Sequence, residues 1–553
     1  MFNGEIYNFI ELKEQLIAKG YIFHTHCDTE VVLASFIEWG EKCLQYFNGM
    51  WAFAIWDTKT KRLFLSRDRF GKKPLFYAFV KDKDNRDLFV FASEMKAIYP
   101  YLNELKPHKD FMKMANIYNI FDYESKSERL ISGIKSFPHS HFAYYDGKNL
   151  TFSRYYHILD NIQEPPRDYG EAVERFRALF LDAVKIRMRS DVAIGTALSG
   201  GLDSSSTICA MSHIDKQSPH TRESNDFQHA FIACFKDTAL DESYYAKKVV
   251  DFLNIKAEFL EINPLDFWDK LTHYFYMFED LYITSPIPMI ATYRAVKQRG
   301  VSVTLDGHGA DELFSGYGHL MNALWDAKFN PRMFLSVLST YNETKSDKTT
   351  LLEAIKYTAK IAIKQTTGYK RKPLFSQNHP NFKKLDYFSA QLLGIFYESI
   401  LPTLLRNYDR YSMINGVEIR MPFMDYRLVE FVFSCPYHFK FGNGYTKRLI
   451  RDSVSGLMPK EVAYRKSKIG FNSPFIDWLK RDRKHNGLKE WGLDLVHSRD
   501  FLECDLVESP QEVADLMTKI CNGAESSFSK GEALWCAINP YLWQKGLKEA
   551  IRF

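Results

Sequence analysis

The sequence predicts an α+β domain built on an antiparallel sheet, then an α/β domain with a parallel sheet and a helical C-terminal part. Up to about residue 155, short aromatic-rich runs alternate with turns, as in MWAFAIWD (50–57) and RLFLSRD (62–68), which favours antiparallel strands. After Pro165-Pro166, strand-like and helix-like segments alternate, which is typical of a parallel sheet with crossover helices. From about residue 320 onward the apolar spacing is mostly helical.

The first domain, placed at residues 1–158, contains further strand signals. PLFYAFV (74–80) and LFVFAS (88–93) have the composition of strands, and residues 29–39 have helical spacing. Asp146-Gly147, followed by LTFSRYY, predicts a last hairpin.

The second domain, placed at residues 168–553, begins with a predicted helix at 170–190. Its predicted strands are VAIGTAL (192–198), HAFIACF (229–235), AEFLEI (257–262) and SVTLD (302–306), with another helix at 241–253. SVTLD is predicted to be the last strand of this series along the chain.

Composition limits the function classes. Lys and Arg exceed Asp and Glu by 73 − 68 = 5, which supports neither a nucleic-acid partner nor a membrane partner. The eight cysteines contain no CxxC pair, so no zinc or redox motif is indicated, and their sparse use suits the cytoplasm. No signal peptide and no run of 18 or more apolar residues is visible. We expect a cytoplasmic protein that acts on small molecules and that can form a homodimer.

The most informative segment is ALSGGLDSSS (197–206), a glycine turn between a predicted strand and a predicted helix. Consecutive N–H groups at a helix N-terminus bind phosphate, and two glycines let the backbone approach it closely. The segment lacks the Gly-Lys-Ser/Thr of a Walker A loop. Because the Asp203 carboxylate would repel phosphate, a cation between them is implied, and Mg²⁺ is expected. A plain strand-to-helix turn with Asp203 as N-cap is the alternative.

A second glycine loop, LDGHGADELFSGY (305–317), follows the last predicted strand and presents Asp311 and Glu312 at a helix start. Ligands of open α/β sheets bind at the carboxyl ends of the strands. Two such loops at that edge, each with an acid, would hold a metal ion and the triphosphate of ATP between them.

SGGLDSS (199–205) is the signature of N-type ATP pyrophosphatases, which have an adenine nucleotide alpha hydrolase-like fold. With GHGADELFSGY, VEIRMPFMD (417–425) and YRKSKIGFNSP (464–474), the chain resembles glutamine-dependent asparagine synthetases of class B over nearly its whole length. The motifs that resemble the N-terminal half of that family, a class II glutamine amidotransferase with an Ntn-hydrolase-like fold, are NGEIYN (3–8), CDTEV (27–31), NGMWAFAIWD (48–57), RDRFGKKPLFY (67–77) and FASEMKA (91–97).

In that family the glutaminase nucleophile is an N-terminal cysteine whose α-amine serves as its base. Residue 2 here is Phe, so the resemblance implies an N-terminally incomplete domain that uses ammonia, with a start assigned too late as the favoured explanation. The family's oxyanion hole is matched by Asn3 and Gly4, its glutamine contact by Glu5, and its partner for the glutamine α-amine by Asp28. A plain turn is the alternative for Asn3-Gly4-Glu5.

The resemblance also implies nucleotide-binding residues in the second domain. Leu198 and Ala233 would line the adenosine pocket, and Asp306 and Gly307 would lie beside AMP. The pyrophosphate would be held by Ser199, Gly200, Gly201, Asp203 and Ser204. Mg²⁺ would be held by Asp203 and Asp311.

Lys468 matches the family's catalytic lysine, which stabilises negative charge on the α-phosphate. Asp409, Glu418 and Arg420 fall where the family has acceptor-site and tunnel residues, although a buried brace explains the Glu418–Arg420 pair equally well. His308 departs from the family, which has Glu or Gln there. Its imidazole, with a pKa near neutral, could deprotonate the incoming amine or indicate another acceptor; a histidine satisfied by its neighbours is the alternative.

The implied activity is an ATP-dependent amide ligase that converts aspartate to asparagine through β-aspartyl-AMP. An amidotransferase acting on another carboxylate, such as a uronic acid of a surface polysaccharide, is the alternative. A non-catalytic protein is disfavoured because every phosphate-loop and metal residue is present. A tRNA-thiolating pyrophosphatase is disfavoured because neither a catalytic cysteine pair nor a basic face is apparent.

Overall fold

The computed structural model describes residues 1–551 apart from residues 115, 117, 123, 125, 218–228, 317, 345–347, 367–377, 467 and 471. Three residues of the motifs above, Tyr317, Ser467 and Phe471, therefore lie outside the described residues.

The first part of the chain is built on antiparallel strands, as the sequence predicts, but these form two sheets rather than one. Strands β1 to β8 are Phe2–Ile6, Gly49–Asp57, Arg62–Arg67, Phe76–Lys81, Asp87–Ala92, Lys135–Ser136, His141–Tyr145 and Leu150–Arg154. Their order is β1-β2-β3-β7-β8 in one sheet and β5-β4-β6 in the other. Helices α1 to α4 are Phe9–Ala18, Asp28–Trp39, Cys43–Tyr46 and Lys109–Met112. The first of these helices was not predicted.

Side chains along β2 point alternately to the two faces of its sheet, and this alternation explains what packs on each face. Trp51 and Phe53 point to one face of their sheet and share a buried cluster with Leu12 of α1. Ala52 and Ala54 point to the other face and share a cluster with side chains of β4. The period of two in a strand therefore places the helices on one side of the first sheet and the second sheet on its other side.

The second part of the chain is built around a parallel sheet. Strands β9 to β13 are Ile194–Ala197, His229–Cys234, Lys256–Glu261, Val303–Leu305 and Glu418–Arg420, in the order β11-β10-β9-β12-β13. The prediction that SVTLD is the last strand of the series is wrong, because β13 follows it in the chain and pairs with β12 as a further parallel strand. With three residues, two of them charged, β13 has no strand-like pattern of its own.

The remainder is mostly helical, as predicted, apart from the short hairpin of β14 (Phe441–Gly442) and β15 (Tyr445–Thr446). Helices α5 to α25 are Tyr169–Arg187, Leu202–Gln217, Ser243–Leu253, Leu265–Trp268, Leu271–Phe278, Ile287–Gln298, Ala310–Phe314, Ala323–Asp326, Pro331–Thr344, Leu351–Thr366, Tyr387–Tyr397, Ile400–Met413, Tyr426–Ser434, Tyr437–Lys440, Arg448–Ser453, Lys460–Ala463, Phe475–Lys480, Lys489–His497, Arg499–Leu502, Pro510–Cys521 and Phe528–Ile551.

The segment Tyr387–Met413, which contains α15 and α16, is long and apolar enough to cross a membrane, with a mean hydropathy of 1.3. Its apolar window is 67% buried inside the protein. A core helix of a globular domain has the same properties, so this segment is weak evidence for a membrane span.

Buried polar groups join the two parts of the chain. Oδ2 of Asp425 accepts hydrogen bonds from Asn48 Nδ2 at 2.8 Å and from Arg187 Nη1 at 2.9 Å. Lys73 of the first part pairs with Asp409 of the second, with Nζ and Oδ1 3.3 Å apart. Although burial opposes ionisation of Asp425, the Arg187 guanidinium holds the pKa of that carboxyl below its usual range. The contact between the two parts therefore depends on charges that are matched inside the protein.

Candidate active site

The first glycine loop is the turn between β9 and α6. Gly201 N–H donates to Ser199 Oγ at 3.2 Å, and Ser199 N–H donates to Ser204 Oγ at 3.3 Å. Gly200 has φ +79°, and a Cβ added there would lie 2.6 Å from the backbone nitrogen of Ala246. Only glycine fits this position, because both the backbone conformation and the space exclude a side chain. The serine hydroxyls hold the shape of the turn.

The second glycine loop lies directly against the first. A Cβ added to Gly307 would lie 2.5 Å from the carbonyl carbon of Asp203 and 2.6 Å from the nitrogen of Ser204. A Cβ added to Gly316 would overlap the carboxylate of Asp311. The structure thus brings the two loops together at the carboxyl ends of β9 and β12, as the sequence predicts.

Two lysines connect the acids of these loops. Lys447 Nζ lies 2.5 Å from Asp203 Oδ2 and 2.5 Å from Asp311 Oδ1. Lys468 pairs with the other carboxylate oxygen of Asp311. Lys447 is buried, whereas the side chain of Lys468 is 34% exposed and is therefore accessible to a ligand.

Sequence reasoning missed Lys447. This residue follows Asp203 by 244 positions and immediately precedes the short helix α19. It lies just after the Gly442-Asn443-Gly444 turn of the β14–β15 hairpin, but no acidic residue stands within four positions of it to mark it as part of a site. Its φ of +55° shows that the backbone has an uncommon conformation at this position.

The electrostatics of the two acids differ. Burial opposes ionisation of both carboxyls. For Asp311 the ammonium groups of Lys447 and Lys468 outweigh burial and hold the pKa below its usual range. For Asp203 burial prevails, and the pKa is raised despite Lys447. The ionised form is therefore stabilised by its surroundings at Asp311 but not at Asp203.

These carboxylates fit a hard cation. Asp203 Oδ1 is buried and has no hydrogen-bond partner among the described residues. Carboxylate oxygens are the ligands that Mg²⁺ prefers, and it usually takes one or two of them together with substrate phosphates. No cluster of three or more His, Cys, Asp or Glu suited to a metal occurs in the described part of the chain, so phosphate oxygens and water would have to complete the coordination.

A second ion pair beside the first loop was also missed. Arg465 Nη1 lies 2.6 Å from Glu242 Oε1, and the backbone oxygen of Glu242 lies 2.9 Å from where a Cβ on Gly200 would be. Burial raises the pKa of Glu242 to about 7, with Arg465 and then Lys468 opposing the shift. This pair places a guanidinium, matched by a carboxylate, next to the turn without being part of the glycine motif.

Asp306, predicted to lie beside AMP, is 1% exposed and bonded inside the protein. Its Oδ1 accepts from Ala197 N–H at 3.0 Å, and its Oδ2 accepts from the Tyr293 hydroxyl at 2.8 Å. Its own N–H donates to the Arg420 carbonyl oxygen at 2.9 Å. Burial raises the pKa of Asp306 to about 6. The side chain therefore ties β9 to the end of β12, and contact with AMP stays a prediction.

His308 differs from the expectation in one respect. Burial lowers its pKa to about 4, so the predicted pKa near neutral is wrong. The ring lies against Tyr408, with centroids 3.8 Å apart, and Nε2 is 3.8 Å from Asp306 Oδ2. Nε2 is buried and has no hydrogen-bond partner among the described residues. The side chain is a neutral imidazole at physiological pH, with one nitrogen available for a ligand.

The two residues predicted to line the adenosine pocket lie on neighbouring strands. Leu198 is 1% exposed, and its N–H donates to the Phe231 carbonyl at 2.9 Å. Ala233 is half-buried, one residue before the carboxyl end of β10. Both lie at the same edge of the sheet as the glycine loops, and their contact with adenosine stays a prediction.

The predicted glutamine-binding residues lie on β1 and at the start of α2. Asn3 Nδ2 donates to Ser93 Oγ at 3.0 Å, and Asp28 Oδ2 accepts from a backbone N–H of β1 at 2.9 Å. A Cβ added to Gly4 would lie 2.1 Å from the Met50 carbonyl oxygen. The structure thus brings these residues together, whereas their binding of glutamine, and the use of ammonia alone, stay predictions.

Glu5 faces the second part of the chain. Arg420 Nη2 lies 3.6 Å from Glu5 Oε2, and Arg420 Nε donates to Glu418 Oε1 at 2.7 Å. Arg420 Nη1 also donates to the carbonyl oxygens of Arg187 and Arg189 at 3.0 and 2.5 Å. Burial, followed by Glu418, raises the pKa of Glu5 to about 7. These contacts favour the interpretation of Glu418 and Arg420 as a brace between the two parts.

Asp409, the third residue predicted near the acceptor site, pairs with Lys73 in the contact between the two parts described above. It is 8% exposed, and its carboxylate pairs with Lys73 rather than with a residue of the glycine loops. Its role with an acceptor stays a prediction.

Comparison with known proteins shows the family of each part of the chain. Residues 175–531 match the model of the family described as asparagine synthase, and residues 1–156 match that of the glutamine amidotransferase domain. The chain belongs to the asparagine synthase family. It is 30% identical over 522 residues to asparagine synthetase [glutamine-hydrolyzing] 1 of Bacillus subtilis, covering 90% of this chain and 78% of that protein. Asparagine synthetase [glutamine-hydrolyzing] 3 of the same organism is 30% identical over 528 residues, covering 92% and 80%.

A more distant relative is named amidase chyE, from Penicillium rubens, and is 24% identical over 536 residues, covering 86% of this chain and 77% of that protein. Membership of the asparagine synthase family makes this chain a carbon–nitrogen ligase that uses ATP to form an amide. The two glycine loops fall within the residues matched by the synthase model, and β1 falls within those matched by the amidotransferase model.

Proposed function

We propose that this protein converts aspartate to asparagine through β-aspartyl-AMP, with ammonia as the attacking nucleophile. The observation that carries the proposal is the contact of the two glycine loops, whose acids Asp203 and Asp311 share Lys447 at 2.5 Å from each. A glycine turn that leads into a helix N-terminus suits a phosphate chain, and the two carboxylates beside it suit the cation that accompanies such a ligand.

The residues of the chain divide the first step between them. The N-terminus of α6, which follows this turn, binds the phosphates, and the ammonium groups of Lys447 and Lys468 offset the charge that develops there. An aspartate carboxylate oxygen attacks the α-phosphorus, and the bond from that phosphorus to pyrophosphate breaks. Mg²⁺, held by Asp203 and Asp311, would neutralise phosphate charge during this step.

In the second step the lone pair of ammonia attacks the carbonyl carbon of the adenylate, the nitrogen loses a proton to water, and the bond from the carbonyl carbon to the AMP oxygen breaks. A histidine with a pKa of about 4 does not keep a proton at neutral pH. We therefore assign His308 to orienting a reactant through its unpartnered Nε2 rather than to storing the proton.

The experiment is a turnover assay with ATP, aspartate and ammonium chloride, in which asparagine, AMP and pyrophosphate are measured together. We expect the three products in equal amounts. Ammonium chloride makes the result independent of glutamine hydrolysis. Release of ADP and phosphate would contradict the adenylate. Pyrophosphate release with a uronate but not with aspartate would replace the acceptor while leaving the adenylate chemistry in place.

A matched pair of variants tests the role of the first loop. Asp203→Asn removes the carboxylate charge and should lower turnover by about a hundredfold while raising the Mg²⁺ concentration needed. Asp215→Asn makes the same change near the other end of α6 and should leave turnover unchanged. Equal activity of the two variants would rule out a role for Asp203 in binding the metal ion.

A further inference from the structure

A cavity of about 350 Å³ lies between the C-terminal helix α25 and two segments that continue from the site described above. One wall is Gly531, Glu532 and Trp535 of α25, and another includes Ser473, which follows Lys468 by five residues. The loop after β10 contributes Leu240. A volume of this size is at the lower end of the range of small-molecule sites.

The helices that form the walls pack closely against each other, and this packing fixes the shape of the cavity. A Cβ on Gly531 would lie 2.5 Å from Ile476 Cγ1, which means that glycine lets α25 approach α21 closely. The rings of Phe475 and Trp535 pack edge to face, with centroids 5.1 Å apart. Fixed aromatic walls of this kind suit an apolar ligand body.

Polar groups at the walls lack partners. Ser473 is 3% exposed and Trp535 is 1% exposed, and neither Ser473 Oγ nor Trp535 Nε1 has a hydrogen-bond partner among the described residues. Buried polar atoms are normally hydrogen-bonded. Ser473 Oγ can accept a hydrogen bond from an ammonium group, whereas Trp535 Nε1 only donates and would be satisfied by a water molecule.

The charge of the lining is one-sided. Glu532 and Asp477 supply carboxylates, and no Lys, Arg or His is among the lining residues in the part of the chain that the structure describes. Burial alone raises the pKa of Glu532 to about 7, because no cation opposes it. A metal ion is disfavoured, since no cluster of three or more His, Cys, Asp or Glu suited to one occurs in the described residues. Carboxylates beside aromatic rings bind an organic ammonium group through charge and cation–π contact.

We propose that this cavity binds an organic monoamine, with its ammonium group at Glu532 and an apolar body of about one ring against Phe475 and Trp535. The site is separate from the ligase chemistry, because none of its lining residues is among the groups placed at the phosphates. An acidic amino acid such as aspartate would be repelled by the same carboxylates.

Calorimetric titration of the full chain without ATP tests the proposal, with 2-phenylethylamine as probe. We expect one saturable site. The neutral analogue 2-phenylethanol should bind at least tenfold more weakly, and 3-phenylpropionate should not bind. Glu532→Gln should weaken the amine at least tenfold, whereas Glu512→Gln, the same change at an exposed position on α24, should leave its affinity within twofold.

A variant that fills the cavity distinguishes loss of amine binding at this site from misfolding of the whole protein. Ala239 is exposed at the cavity wall, so Ala239→Trp should abolish amine binding while the melting temperature and ammonia-dependent turnover stay as in the wild type. The proposal is overturned if the amine does not bind, if 3-phenylpropionate binds equally well, or if Glu532→Gln or Ala239→Trp binds the amine as the wild type does. Because binding is measured without ATP, these outcomes are independent of whether asparagine is formed.

Discussion

The nucleotide loops and strand β1 both contain carboxylates paired with a cation from a distant part of the chain, but the cations are of different kinds. At the loops Lys447 contacts Asp203 and Asp311, and its ammonium is a compact point charge. At β1 the cation is Arg420, which pairs with Glu5 and also donates to Glu418 and to two backbone carbonyls.

The lysine therefore suits a site where a ligand replaces a carboxylate as its partner, whereas the arginine suits a contact that holds the two parts of the chain together. A lysine ammonium is a compact charge on a flexible stem, so it can turn from a carboxylate to a phosphate. A guanidinium with its donors already used cannot move without breaking a network. We therefore expect changes at the loops to act mainly on catalysis, and changes at Arg420 to act mainly on stability.

The largest effect is expected from Lys447→Ala. Removing a positive group aimed at developing phosphate charge should lower ATP turnover by a hundredfold to a thousandfold, or about 3–4 kcal/mol. Pyrophosphate release measures it. Lys460→Ala, at an exposed position in α20, is the control and should keep full activity. Turnover of Lys447→Ala within threefold of the wild type would remove this lysine from the mechanism.

The next effect is expected from Arg420→Met. The substitution leaves Glu5 and Glu418 without their shared cation, so the free energy of unfolding should fall by about 3 kcal/mol. Urea unfolding measures it. Arg299→Met removes a half-exposed arginine paired with Glu258 and should change this free energy by less than about 1 kcal/mol. If both variants are equally stable, the brace interpretation fails.

A smaller, pH-dependent effect is expected from Glu5. Its pKa is raised to about 7 in the folded protein, so the folded state holds a proton that the unfolded state has already lost above its lower pKa. Wild-type stability should therefore fall, relative to Glu5→Gln, as the pH rises from 5 to 8. Because the side chain is 36% exposed, solvent screening limits the change to about 1 kcal/mol.

Urea unfolding of both proteins at pH 5, 6, 7 and 8 provides the measurement. Glu14→Gln, at an exposed position of α1, should follow the wild type across this range. A difference between the wild type and Glu5→Gln that does not vary with pH would show that the pKa of Glu5 is not raised.

The smallest effect is expected at an exposed pair that also joins the two parts of the chain. Lys109 Nζ lies 2.5 Å from Asp505 Oδ2, but the two side chains are 63% and 58% exposed. Asp505→Asn should change the free energy of unfolding by less than about 0.5 kcal/mol, and 0.5 M salt should remove even that difference. If this free energy falls by more than about 1 kcal/mol, an exposed ion pair between the two parts is not a weak contact in this protein.

The two sheets and the nucleotide loops could be predicted because their signals are local. The turn at Gly200 needs glycine, the strand before it is apolar, and the acid stands next to both. Such patterns are readable in ten residues. The partners of these elements were not predictable in the same way: β13 joins the sheet through three residues, and Lys447 reaches Asp203 across 244 positions.

The environment of single side chains was the other part that sequence could not supply. His308 has an ordinary pKa in isolation, and only its burial against Tyr408 shows that it is neutral. Glu418 and Arg420 were equally compatible with a brace and with an acceptor site until their contacts with the carbonyls of Arg187 and Arg189 were known.

Arg420 of strand β13 makes contacts in both parts of the chain. Its carbonyl accepts from Asp306 beside the second glycine loop, while the guanidinium of the same residue reaches Glu5. A ligand that replaces Glu5 as a partner of this guanidinium would change the contacts of a residue whose carbonyl also holds the phosphate-binding loop. By thermodynamic reciprocity, occupancy of that loop would then alter affinity at Glu5 by the same factor, so the two halves would sense each other without any large movement.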